Sequence, residues 1–105
     1  MTTFDDRERA FENLFAHDQD LAFRAQARCN REMGLWAAHQ QGLGGDEAEA
    51  YAGRLLAVAI ENGEEAVVAR LGEDLNRHGR TVSEHQIRHR MAELLAESIE
   101  RVKRA

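Results

Sequence analysis

The sequence predicts an all-α fold, an antiparallel four-helix bundle with an N-terminal helical segment that can either pack on the bundle or leave it. Three observations predict it. The 105 residues contain no proline, the main helix breaker, and 31% of them are charged. Aromatic and β-branched residues are sparse and alanine is frequent, which disfavours strands. Apolar residues recur at helical spacing in successive stretches separated by glycine. A chain of this length is about one domain in size and buries a core without staples. Residues 1–105 are therefore one helical domain, divided into an N-terminal segment (1–18) and a helix bundle (19–105).

The first segment spans about residues 4–17. Thr3 is placed as its N-cap, and Asp5 and Asp6 suit the positive end of the helix dipole. The second helix, over about residues 19–41, repeats Ala22, Ala25, Cys29, Met33, Trp36 and Ala37 along one face. Gly42, Gly44 and Gly45 end it. Asp46 is expected to cap the third helix, with Glu49 at the capping-box position. Its predicted apolar face is Ala48, Tyr51, Ala52, Leu55, Leu56, Ala59 and Ile60, and Gly63 breaks the chain. A shorter helix follows with Val67, Val68, Leu71 and Leu75. In NRHGRT, Gly79 is the expected left-handed residue.

The last helix has the clearest start. In TVSEHQI, Ser83 and Gln86 form a capping box, and Val82 and Ile87 form a hydrophobic staple. Its face continues through Met91, Leu94, Leu95, Ile99 and Val102. The core is expected to include Met33, Trp36, Leu55, Leu56, Met91 and Leu95.

Composition narrows the function. Net charge is −5, spread as −2 over residues 1–32, −6 over 33–76 and +3 over 77–105. An acidic chain argues against nucleic acid as partner. The basic end either faces an acidic surface or, as favoured here, complements the dipole of the last helix. Cys29 is the only cysteine, so no intramolecular disulfide forms and a reducing compartment is expected. There is no apolar signal core at the start and no run near the roughly 20 apolar residues of a membrane span. The expectation is a cytoplasmic protein without membrane insertion, a monomer when free.

Catalytic patterns are missing. GLGGDE lacks the lysine of a phosphate-binding loop and reads as a helix connection. Cys29 lies on an apolar stripe, as a structural thiol does. His85 and His89 have metal-ligand spacing but point away from the core face, beside Arg88 and Arg90. No catalytic residue, metal or cofactor is expected, and the chain is not read as an enzyme.

The start of the chain is unusual. All four phenylalanines, Phe4, Phe11, Phe15 and Phe23, lie in its first quarter. At about 100° per residue, Phe4, Phe11 and Phe15 fall within roughly 40° of one another. Leu14 widens this ridge, and Arg7 and Asp18 flank it. Such a ridge is either a core face or a helix-in-groove ligand for another protein. Each ring buries about 150–250 Å², enough for either role. The junction AHDQD contains neither glycine nor proline. A continuous helix over residues 4–32 would be about 43 Å long.

MTTFDDRERAFENLFAHD, RCNREMGLWAA and VSEHQIRHRMAELL together resemble the zeta subunit of alphaproteobacterial F-type ATP synthases, over nearly the whole chain. That resemblance implies a four-helix bundle whose N-terminal segment inhibits ATP hydrolysis. The segment is thought to wedge between an α and a β subunit of the catalytic head, near the central shaft. Carried over by position, its contact residues are Phe4, Asp5, Arg7, Phe11, Leu14, Phe15 and Asp18. Family openings often carry a basic residue at the place of Leu14, which here exchanges a possible ion pair for apolar area. The implied partners are the α, β and central-shaft subunits of the ATP synthase. The alternative is a helical interaction module that binds this or another partner without inhibiting strongly.

Overall fold

Small residues along one helix let two neighbours approach it at once, and the architecture follows from that. In the computed structural model, residues 19–79 and 81–104 are described. They form four helices: α1 (Gln19–Gln40), α2 (Gly45–Asn62), α3 (Glu64–Arg77) and α4 (Glu84–Arg104). The helix α1 buries Ala25, Cys29, Met33, Gly34, Ala37 and Ala38. Its main packing partners are α2 and α4. Ala25, near its start, packs with Ile99 and Val102, near the end of α4. Four residues on, Cys29 donates to the carbonyl of Met91 at 3.6 Å. Numbers rise on α1 as they fall on α4, so the two run antiparallel.

The tightest approach is between α1 and α2. A Cβ on Gly34 would lie 2.6 Å from the Cα of Ala52. Only hydrogen fits there. Arg31 holds Glu49 across the same interface at 2.7 and 2.9 Å.

The core lies where α3 closes over this arrangement. Met33, Val67, Leu71, Leu75 and Ile87 are its largest fully buried apolar side chains. At roughly 1.5–3 kcal/mol for each such side chain, these five outweigh any surface ion pair. A smaller cluster of Ala25, Ile99 and Val102, flanked by Leu21, Ala22 and Leu95, ties the start of α1 to the end of α4.

The breaks are chemical. Gly63 ends α2 and begins α3 at φ 86° and ψ −179°, a region essentially restricted to glycine. Gly79 has φ 81°, as the NRHGRT turn requires. The capping box before α4 is formed in both directions: the Gln86 N–H donates to Ser83 Oγ at 3.1 Å, and the Ser83 N–H to Gln86 Oε1 at 2.8 Å. Val82, of the expected staple, packs partly buried against the core that holds Ile87.

Two sequence expectations fail. Asp46 is not the cap of α2. The helix starts two residues earlier than that cap implies, at Gly45, with extended Gly44 as N-cap and no side-chain cap bond. Asp46 and Glu47 then lie in the first turn, where they still favour the dipole, and Glu49 is engaged by Arg31. Ile60 is not core but 73% exposed. It lies roughly 140° from Leu55 and 180° from Tyr51 around the helix, and those two face inward. Trp36, Leu56, Ala59 and Leu95 are only partly buried, at the margins of the stripes that contain them.

Candidate functional site at the root of the N-terminal segment

The residues expected to bind a partner, Phe4, Asp5, Arg7, Phe11, Leu14, Phe15 and Asp18, lie outside the described residues. What the structure defines is the surface to which they are attached. Residue 18 is bonded to Gln19, the first residue of α1. Because α1 and α4 are antiparallel, that end of the bundle also carries the last turn of α4.

The root is apolar inside and basic outside. Leu21, Ala22 and Ala25 meet Leu95, Ile99 and Val102. Arg24, Arg28, Arg101 and Val102 line a shallow groove of about 250 Å³ beside them. Arg101, Lys103 and Arg104 occupy the last turn of α4, where positive charge meets the negative end of the dipole. Asp20, in the first turn of α1, pairs with Arg24 at 3.1 Å. Both are exposed, so the pair is worth about 0–1 kcal/mol. Phe23 projects outward, 69% exposed.

Behind the root, Cys29 is fully buried. Burial, and then the charges of Glu64 and Glu32, push its thiol up to about 12. A thiol so far above neutrality is not a nucleophile near pH 7, which agrees with the structural reading of Cys29.

Sequence reasoning missed one polar cluster. Asp74 is 4% exposed. Its carboxylate accepts from the Tyr51 hydroxyl at 2.7 Å and the Arg70 guanidinium at 3.0 Å. Arg77 approaches its other oxygen at 3.8 Å. Burial, followed by the Asp74 hydrogen bond, holds the Tyr51 phenol well above its usual range. The cluster joins α2 to α3, and its paired groups make it a clamp. A signal was present in the sequence: Asp74 falls three residues after Leu71 on the apolar face of α3, with Arg70 four residues before it.

His85 and His89 are both exposed, as expected from their position across the helix from Ile87. Arg88 between them bonds to Glu65 at 2.7 Å and Glu84 at 2.9 Å. Among the described residues, no group of three metal-binding side chains is assembled, and no helix is long and apolar enough to cross a membrane.

Fold and root together define a small helical bundle that carries an N-terminal segment from a basic end. The family model of ATPase inhibitor subunit zeta matches residues 1–101. The chain belongs to that family, and so to the inhibitor subunits associated with ATP synthase. No curated protein matches it.

Proposed function

We propose that the chain inhibits ATP hydrolysis by inserting residues 1–18 at a catalytic α/β interface of the F-type ATP synthase, where they block hydrolytic rotation. The observation that carries this reading is the extent of the family match. It begins at residue 1 and includes the phenylalanine ridge as well as the bundle. Phe4, Phe11, Leu14 and Phe15 supply apolar contact, while Asp5, Arg7 and Asp18 flank them with charge. The partners are the α, β and central-shaft subunits, met in the cytoplasm. Residues 19–105 act as the anchor, a non-catalytic body too wide to follow the segment into a crevice. Its described residues extend 41 × 33 × 24 Å.

The test is ATP hydrolysis by the cognate catalytic head with the full chain, with Phe11→Ala, and with residues 1–18 removed. The full chain lowers the rate. Truncation leaves a cooperative helical melt and abolishes inhibition. Phe11→Ala weakens inhibition by more than it destabilises the free protein. A rate unchanged by saturating full-length protein refutes the proposal and leaves a non-inhibitory interaction module.

A further inference from the structure

Residues of α3, of α4 and of the connection between them line an open groove of about 460 Å³. Its apolar lining comes from Val68, Ala69, Gly72, Val82 and Ile87, and Glu65, Glu73 and Glu84 contribute carboxylates to it. The groove is far in sequence from the residues assigned to inhibition.

Gly72 is the informative residue. It lies inside α3, where glycine is less favourable than alanine by about 0.8–1 kcal/mol. The bundle does not require it. A Cβ at Gly72 would meet only Ile87 Cδ1, at 3.9 Å, an ordinary contact. Gly34, by contrast, is forced by a clash. An unneeded glycine is not by itself a site, since a Cβ on Gly53 also meets open space. Gly72 differs because the space above it is an open groove lined by both α3 and α4. Glycine there permits a second backbone to approach α3 closely.

Charge indicates what approaches. Among the described residues, Arg88 is the cation paired with Glu64, Glu65 and Glu84. It leaves this cluster net negative, and Glu73 adds to the same sign. A narrow apolar strip of Ala69, Gly72 and Val82, laid over buried Val68 and Ile87 and edged by negative charge, suits an amphipathic helix with basic flanks, docked by its apolar face.

We propose that this groove is a second docking site, and that its occupant is a basic amphipathic helix of the ATP synthase. The inference rests on the reading that the chain binds that enzyme. The groove would hold the bundle against the outside of the catalytic head while the N-terminal segment acts within it. Two contacts on one chain raise the effective concentration of each.

The experiment uses the full chain and the cognate catalytic head. Gly72→Ala and Glu73→Lys are compared with the natural sequence for association rate, dissociation rate and salt dependence, alongside urea unfolding of each free protein. Gly72→Ala is expected to leave the free protein as stable or more so, yet to dissociate about tenfold faster as the groove fills. Glu73→Lys is expected to slow association severalfold and to flatten its dependence on ionic strength. If the natural chain binds and inhibits while both variants bind unchanged, the groove is not a docking site and the inhibitory reading stands. Failure of the natural chain to bind the head refutes both. A Gly72→Ala variant that is less stable when free overturns the premise that the fold has no use for this glycine.

Discussion

Gly34 and Gly53 are both interior helix glycines, on α1 and α2, and the structure gives them opposite responses to one added methyl. By helix propensity alone, alanine at either site stabilises by about 0.8–1 kcal/mol. At Gly53 nothing lies within 4 Å of the new Cβ, so Gly53→Ala should show most of that gain. At Gly34 the new atom would stand 2.6 Å from Ala52 Cα and 2.9 Å from its Cβ. The nearer atom is backbone and cannot rotate away, so α1 and α2 must separate by about 0.8 Å to restore ordinary contact. A gap of that size forfeits roughly a quarter to a half of each dispersion contact it opens. Overpacking of this kind costs about 1–3 kcal/mol, which exceeds the propensity gain. Gly34→Ala should therefore lose up to about 2 kcal/mol net and show none of the gain expected at Gly53. Urea unfolding with both variants at one temperature measures the pair, and each kcal/mol corresponds to a melting shift of about 4–8 °C for a domain of this size. Two variants stabilised alike would refute the close crossing of α1 and α2, and with it the packing that makes α1 the central helix.

Other sites test the core, the clamp and the buried thiol. Leu71→Ala, at a fully buried position, should cost about 2–5 kcal/mol, whereas Ile60→Ser at a largely exposed one should stay within about 0.5 kcal/mol; similar losses at both would show that the apolar faces are misassigned. Tyr51→Phe removes the 2.7 Å bond to Asp74 and should cost about 1.5–3 kcal/mol, the range for a hydrogen bond to a charged group, with a loss below about 0.5 kcal/mol in urea melts counting against the clamp. Cys29 should make the fold sensitive to alkali. Burial pushes its thiol up to about 12, above the 9.0 of an unperturbed thiol, so the unfolded chain releases the proton first. That contribution is intact below about pH 9 and is lost as pH rises towards 12, reaching about 2 kcal/mol of loss by pH 10.5. Urea midpoints of the natural chain and Cys29→Ala at pH 8 and pH 10.5 isolate it, and parallel declines in both proteins would contradict it.

The sequence by itself determined the elements and most of the breaks between them. Ser83 and Gln86 marked the start of α4 because a capping box is closed by residues three apart, whatever surrounds it. Gly63 and Gly79 marked breaks because their backbone angles exclude other residues locally. The family, too, was legible in FDDRERAFENLFAHD and GLWAA, and the match over residues 1–101 agrees with it. Local pattern failed where the choice depended on a neighbour. Asp46 and Gly44 both suit an N-cap, and the start of α2 fell at Gly45. Ile60 failed for a local reason: it lies roughly 140° from Leu55 and 180° from Tyr51 around α2, off the face those residues define. The close meeting of Gly34 with Ala52, the clamp on Asp74 and the groove above Gly72 join residues 18, 23 and 15 positions apart. Spacing along one helix carries no information about such distances. They are set by how closely two backbones pack and at what angle they cross, and only the tertiary structure decides that.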